Sequence, residues 1–308
     1  MPVGDKIRSV DYNTVQTKVA NTLGTGSGNL GYGQTVQSSQ VTTSNNITVN
    51  EWGRLRNDII NIYRHQNNTI PNTTILPDAL EGESVRYNVT DAPVTVWDTL
   101  STTLQNNRIN ALPVGRFGTV DSGSIGTAVA FANSATGIVT FTWATAENAR
   151  FFFNGGGRVR VTTQFSPTLA NAQNTSWQST LSTIGTREWG GFFPDTSTSP
   201  TDGRNFFKSD SSYRQFYTAS SSSPYGSNNY NLDAAKFSSG SNYSVGIRAR
   251  LIEGYTDPGP PAPGDLVQGT LVLYAAYTYP AGALTGLGAA TWTEYQPITV
   301  AIGNFTTT

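Results

Sequence analysis

Apolar residues recur at steps of three and four along three segments of the first 110 residues, the spacing of amphipathic helices. The first segment, DYNTVQTKVANTL (11–23), ends at Gly24, and the second, TVNEWGRLRNDIINIYRHQ (48–66), opens with Thr48 and Glu51 in capping-box spacing. The third is APVTVWDTLSTTLQNNRIN (92–110). The predicted inner stripes are Tyr12, Val15, Val19 and Leu23, then Trp52, Leu55, Ile59 and Ile62, and finally Val96 or Trp97, Leu100 and Leu104.

From Leu112 onward the pattern changes to short apolar runs separated by turn residues. TAVAFANSATGIVTFTW (127–143) predicts a β-hairpin that turns at Asn133, Ser134 and Gly137. A short helix ending at Asn154 and Gly155 is expected next. The run LVLYAAYTY (271–279) is apolar on both faces, which predicts a central strand. PITVAIGNF (297–305) is the last predicted strand.

Two further strands alternate between apolar and polar positions, which indicates one buried and one wet face. The inward residues are expected to be Val159, Val161 and Phe165, and Val245, Ile247, Ala249 and Leu251; the outward ones are Arg158, Arg160 and Thr162, and Ser244, Arg248 and Arg250. The predicted fold class is α+β, mainly β. We expect a loosely packed helical N-terminal region (1–110) followed by an antiparallel β-sandwich-like body (111–308).

Composition narrows the classes of partner. Only 13% of the 308 residues are charged and the net charge is -1, a balance that offers no attraction for nucleic acid or anionic membrane. The chain has no cysteine, so disulfides and thiolate metal sites are excluded. No apolar run is long enough for a membrane span, and the start has no signal-peptide pattern, so we expect assembly in a cytoplasm.

The stretch GTGSGNLGYG (24–33) contains Gly26, Gly28 and Gly31 in the spacing G-x-G-x-x-G, and Ser27 lies within a G-x-S-x-G pattern. A dinucleotide fingerprint needs a strand before the glycines and a helix after them, as does a nucleophile elbow. Here a predicted helix precedes the glycines instead. We therefore interpret the stretch as a helix stop and a turn that redirects the chain, and expect no cofactor.

The inventory of catalytic side chains is short. Because His65 is the single histidine, no two-histidine metal site can form within one chain. His65 itself is expected to be exposed or partly packed near a helix end. The nearest acid pairs are Glu81 with Glu83, Asp195 with Asp202 and Asp257 with Asp265, all in loop-like sequence. We predict no catalytic residue and no metal ligand.

Residues 187–225 combine aromatic side chains with Gly, Ser, Pro and Asp. Aromatic residues in polar company occur at protein interfaces and at sugar-binding surfaces, but they also cover the cores of sheets. Subunit contact, glycan stacking and a core role all remain open for this stretch. The candidate interface residues are Trp52, Leu55, Ile59 and Ile62 on the second helix, and Trp189, Phe192, Phe193, Phe206, Phe207, Tyr213, Tyr217 and Tyr225 in this stretch.

Five segments in order resemble a family of virion structural proteins of tailed bacteriophages, especially contractile-tailed phages of cyanobacteria and other aquatic bacteria. The segments are residues 3–41, 49–66, ENARFFFNGGGRVRV (147–161), NTSWQSTLSTIGT (174–186) and YTDPGPPAPGDLVQGTL (255–271). The most specific parts are the Gly-rich segment after the first helix and the N-G-G-G turn.

The resemblance implies a non-enzymatic component of the neck, tail, baseplate or head decoration. Such a protein would be a homo-oligomer or would bind other virion proteins, without nucleic acid or membrane insertion, and would reside in the virion after assembly in the host cytoplasm. Two alternatives stay open: an adhesin that binds host-surface glycans, and a glycan-cleaving virion enzyme, which loss of polymer length would reveal.

Overall fold

The computed structural model describes residues 8–42, 47–67, 69–71, 76, 93–108, 117–191, 205–255, 266–280 and 293–308. The chain divides into two compact units. Unit 1 consists of Met1–Gly118, Arg150–Gly156 and Tyr279–Tyr295; unit 2 consists of Thr119–Ala149, Gly157–Thr278 and Gln296–Thr308. The division differs from the one expected at residue 110, because two segments beyond that boundary belong to unit 1.

Unit 1 contains helices α1 (Ser9–Leu23), α2 (Val49–Asn67) and α3 (Pro93–Asn106). The expected capping box opens α2: the Thr48 amide donates to the Glu51 carboxylate at 2.6 Å, and the Glu51 amide donates to the Thr48 hydroxyl at 3.3 Å. This exchange satisfies backbone donors that an α-helix leaves unpaired in its first turn. The helix therefore begins where the sequence predicts.

One apolar core joins the three helices. The stripes predicted for α1 and α2 are buried, and α3 contributes Val94, Trp97 and Leu104. The Trp52 ring packs edge-on against Tyr12 at 5.2 Å between centroids and against Trp97 at 4.9 Å. The α2 stripe, predicted as a candidate interface, is therefore covered by the other helices of its own chain.

Unit 2 contains two antiparallel sheets. Sheet A has the strand order β1-β8-β3-β4, and sheet B has the order β10-β2-β7-β6-β5 with β9 also paired to β2. The strands are β1 (Phe117–Phe131), β2 (Ser134–Trp143), β3 (Arg158–Pro167), β4 (Thr186–Gly190), β5 (Arg214–Ser220), β6 (Asn229–Ser239), β7 (Asn242–Ile252), β8 (Val267–Pro280), β9 (Thr299–Ile302) and β10 (Thr306–Thr307). Helices α4 (Ala146–Asn154) and α5 (Ala172–Ile184) flank β3 in sequence.

The inner faces of the two sheets meet in a sandwich. The inward residues predicted for β3 and β7 are all buried, and β8 lies inside sheet A as expected of a central strand. The hydroxyls of Thr163 on β3 and Tyr230 on β6 lie 2.8 Å apart between the sheets. The predicted class, α+β and mainly β with N-terminal helices, is confirmed.

The predicted hairpin over 127–143 is wrong. Residues 117–131 form β1 in sheet A, whereas β2 pairs with β7 in sheet B, so the turn at Asn133 is a corner between sheets. The Asn133 carbonyl accepts a hydrogen bond from the Glu253 amide at 2.7 Å. Gly137 lies within β2, where a Cβ atom would stand 3.0 Å from Leu273 of the opposite sheet and closer still to Phe305. Apolar runs on both sides of a turn thus fit a sheet change as well as a hairpin.

Candidate functional site

The glycine loop, residues 24–33, is fixed by its own backbone. The Gly24 amide donates to the Ala20 carbonyl at 3.0 Å and closes α1. The backbone amides of four consecutive residues then donate hydrogen bonds of 2.8 to 3.3 Å to carbonyls at or near the end of α1. The donor and acceptor pairs are Gly31 with Thr25, Tyr32 with Thr22, Gly33 with Gly24, and Gln34 with Leu23. A phosphate site would need such amides as donors to the ligand. The loop uses them within the fold, as a redirecting turn does.

Close backbone contact requires glycine at two positions of the loop. Gly26 has φ +79°, and a Cβ atom there would overlap the Gly31 amide nitrogen. A Cβ atom on Gly31 would overlap the Gly24 carbonyl oxygen. Gly28 differs, because it has φ +63° but faces open space. Gly28, in the middle of the G-x-G-x-x-G pattern, is therefore required only for its backbone conformation. Gly26 and Gly31, at the two ends, are required because a side chain there would overlap the backbone.

Three side chains from distant parts of the sequence bind the carbonyls of the glycine loop. The Arg150 guanidinium donates to the Thr25 carbonyl at 3.0 Å, and the Asn154 side-chain amide donates to the Gly31 carbonyl at 2.6 Å. The Tyr295 hydroxyl donates to the Gly33 carbonyl at 2.6 Å. All of these residues belong to unit 1. The glycine loop and the segment that ends in N-G-G-G are thus parts of one assembly.

Phe151 completes this assembly, which we call the glycine clasp: the glycine loop with Arg150, Phe151, Asn154 and Tyr295. The Phe151 ring lies directly against Gly33, which has φ +71° and could not carry a side chain there. The ring contacts Tyr295 at 5.1 Å between centroids, and the Arg150 guanidinium lies 4.3 Å from its centre. Both glycine motifs stand out in the sequence, but more than a hundred residues separate them, so their pairing is visible only in the structure.

The candidate interface on α2 is corrected by the structure. Trp52, Leu55, Ile59 and Ile62 are at most 4% exposed and lie in the core of unit 1. Side chains covered by their own chain offer no surface to a neighbour.

The aromatic stretch is divided between core and surface. Trp189, Phe206, Phe216 and Tyr217 are at most 5% exposed, which is the core role left open for them. The interface prediction is corrected for the candidates among these, Trp189, Phe206 and Tyr217. Phe207, Tyr213 and Tyr225 are half-buried and remain candidates for contact. Phe192 and Phe193 lie outside the described residues.

Two buried carboxylates organise neighbouring segments in different ways. Asp58 on α2 is 0% exposed and accepts hydrogen bonds from the Gln37 amide, the Ser38 amide and the Ser38 hydroxyl, the last at 2.7 Å. Burial raises the pKa of Asp58, and the hydrogen bonds from Ser38 and Gln37 oppose that rise. Asp58 therefore ties residues 37–38 to α2.

In unit 2, Asp233 on β6 is 1% exposed and is bound by two arginines of β7. The Arg248 Nε lies 2.9 Å from the carboxylate and the Arg250 Nε lies 2.7 Å from it. The outward side chains of β7 thus bind their neighbour strand instead of being free in solvent. Arg248 also lies over the Tyr213 ring, 4.5 Å from its centre.

The histidine prediction is also corrected. His65 is 0% exposed, and its ring lies 4.6 Å from the Tyr32 ring between centroids. His65 therefore belongs to the packing between α2 and the glycine loop.

The outer face of sheet A carries an open groove of about 310 Å³. Its walls include Asp121 of β1, Arg160, Thr162 and Gln164 of β3, Thr186 of β4 and Tyr274 of β8. The outward position of Arg160 and Thr162 was predicted from strand alternation, whereas the proximity of β1 and β8 was not. Four strands therefore bring polar groups together on one rigid face.

Within the described ranges, no group of three or more His, Cys, Asp or Glu side chains is placed to hold a metal ion. No helix among the described residues is long and apolar enough to span a bilayer. The acid pairs singled out from sequence, Glu81 with Glu83, Asp195 with Asp202 and Asp257 with Asp265, lie outside the described residues. In comparison with known proteins, no family model, no curated protein and no solved structure matches this chain.

Proposed function

We propose that this chain is a non-enzymatic structural component of a tailed-phage virion that works through contacts with copies of itself or with other virion proteins. The observation that carries the proposal is the glycine clasp. The two motifs on which the family resemblance chiefly rests bind each other, and their polar groups serve the fold. Residues that a binding protein would direct at a ligand act here as internal supports.

The other buried polar groups support the same function. Asp58 holds a loop to a helix, and Asp233 joins two strands through two arginines. A scaffold protein depends on such fixed geometry, because repeated copies must present identical contact surfaces. The half-buried rings of Phe207, Tyr213 and Tyr225 are the candidate contacts that the structure leaves at the surface of unit 2.

The test is the presence of the chain in purified particles. Mass spectrometry of gradient-purified virions should detect the chain in multiple copies, and a reconstruction should place it beside identical copies or other virion proteins. The Gly26→Ala variant should enter particles poorly, while Gly28→Ala, with open space at its Cβ position, should enter normally. A chain that stays out of purified particles and occurs only as a free monomer in the infected lysate contradicts the proposal.

A further inference from the structure

The shape of the groove on sheet A follows from strand register. Arg160 of β3 lies opposite Ala276 of β8, and Thr162 lies opposite Tyr274. On the other side of β3, Thr162 faces Thr186, with 2.7 Å between the two hydroxyl oxygens. A small side chain at Ala276 beside the large Tyr274 leaves a depression in the sheet face. Among the described residues, strands carry all the walls of the groove, so strand register sets the positions of its side chains.

The groups around the depression are polar and complementary to hydroxyls. Asp121 can accept hydrogen bonds, while Gln164 can both donate and accept them. Neither the Gln164 amide nor the Tyr274 hydroxyl hydrogen-bonds to another side chain or backbone group in the described part of the chain. Tyr274 is half-buried, so part of its ring is accessible beside these polar groups. An aromatic ring beside planar polar side chains suits a ligand that has both apolar C–H faces and many hydroxyls.

Charge around the groove is balanced. Glu188 of β4 lies 3.1 Å from the Arg160 Nε and 2.8 Å from an Arg158 Nη. These two arginines and the carboxylates of Glu188 and Asp121 sum to zero net charge. Among the described residues around the groove, an anion would find no excess of positive charge, in contrast to the arginine clusters that bind phosphate. A neutral ligand is therefore favoured.

We propose that the outer face of sheet A is a saccharide-binding groove for neutral sugars, with Tyr274 packing against a sugar ring and with Gln164 and Asp121 binding hydroxyls. This inference goes beyond the scaffold function and stands on different residues. It places glycan binding on sheet A, whereas Trp189, Phe206, Phe216 and Tyr217 of the aromatic stretch 187–225 are buried. The groove's volume, about 310 Å³, is at the lower end of the range for small-ligand sites.

The experiment uses the purified full chain on an array of neutral hexose and N-acetylhexosamine oligosaccharides, with uronic-acid and sialylated oligosaccharides as a second arm. The wild type should bind neutral members. Tyr274→Ala and Gln164→Ala should each weaken binding by roughly tenfold, since each removes an aromatic or hydrogen-bond contact. Tyr243→Ala is the matched control, a half-buried tyrosine on β7 of sheet B that does not line the groove, and should bind as the wild type does.

Thermal melting of each variant separates binding from folding, and Gln164 is exposed, so its replacement leaves the fold intact. Three results would overturn the inference: no neutral oligosaccharide bound by the wild type, unchanged binding in both groove variants, or loss of binding in Tyr243→Ala alone. Preference for acidic oligosaccharides would contradict the neutral-ligand assignment. None of these results depends on whether the chain is found in virions, which mass spectrometry of particles measures separately.

Discussion

In unit 1 the helix stripes are covered by side chains from several other segments, whereas in unit 2 the strands are held by hydrogen bonds to fixed partners, and the inner faces of β2, β3, β7 and β8 are buried between the sheets. The Trp52 ring contacts rings from α1 and α3. By contrast, β2 follows β7 residue by residue from Ser134 to Trp143. Helices satisfy their backbone internally and can be covered from many directions, but strands need a particular neighbour in a particular register.

The buried carboxylates differ in the same manner. Asp58 of unit 1 is satisfied by backbone amides and a hydroxyl, without a cation among its hydrogen-bond partners. Asp233 of unit 2 is neutralised by Arg248 and Arg250 across the strand pair. The stability that Asp58 contributes depends on pH, because burial raises its pKa. Asp233 is instead held by its ion pairs with the two arginines. A buried acid thus holds a loop to a helix in unit 1 and joins two strands in unit 2.

The largest effect is expected from removing a large core ring in either unit. Trp52→Ala and Trp189→Ala should each lower the free energy of unfolding by about 3 to 5 kcal/mol. Hydrogen exchange should show lost protection mainly in the helices for Trp52→Ala and mainly in the strands for Trp189→Ala. Val49→Ala, a 42% exposed position on α2, is the control and should change little. Equal loss of protection in both units from either variant would break the division into two units.

A smaller effect is expected within the glycine clasp. Both Gly26→Ala and Gly28→Ala place a side chain at positive φ, which costs about 1 kcal/mol, but only Gly26→Ala also forces overlap with the Gly31 amide. Overpacking of this kind should lower the free energy of unfolding by a further 1 to 3 kcal/mol or so. Chemical denaturation of the two variants measures the difference. Equal stabilities would mean that the loop is free to shift, against the packed geometry.

Asp58→Asn should destabilise unit 1 by about 1 to 3 kcal/mol at neutral pH, because the new amide group faces backbone donors and leaves one unsatisfied. The variant should also remove a pH dependence. The raised pKa of Asp58 means that the folded chain keeps this proton above the ordinary Asp value of about 3.9. Stability from this group is therefore full below that value and falls as pH rises through the folded-state pKa.

The difference in stability between the wild type and Asp58→Asn, measured by denaturation from pH 3 upward, isolates this group from other carboxylates. A wild type that gains stability relative to the variant as pH rises through this window would contradict the direction of the pKa shift.

The smallest effect is expected at the partly exposed ion pairs of sheet A. Glu188→Gln should cost less than about 1 kcal/mol, because solvent screens the pairs with Arg158 and Arg160, whose side chains are 27% and 30% exposed. Added salt should narrow the small difference between variant and wild type. A cost as large as that of Asp58→Asn, measured in the same denaturation series, would show that sheet A depends on this network more than its exposure indicates.

Local periodicity predicted which face of an element is buried with good fidelity in both units. Tyr12, Val15, Val19 and Leu23 on α1, and the four inward residues of β7, are all at most 1% exposed. The prediction failed where it required a partner. Both strands predicted in residues 127–143 exist, but they do not pair with each other. The buried face of α2 was predicted correctly, but it is covered by its own chain and not by a neighbour. Helix α5 was not predicted as an element.

The sequence alone determined the fold class, the inner faces, the capping box of α2 and the turn at the glycine loop, because each depends on residues within a few positions of one another. Only the tertiary structure decided that Arg150, Asn154 and Tyr295 bind the loop, that β1 and β2 belong to different sheets, and that Tyr274 stands beside Arg160, Gln164 and Asp121. Those choices depend on contacts across a hundred residues or more, or on strand register. Many pairings satisfy the same local pattern, and the packing of the whole chain selects among them.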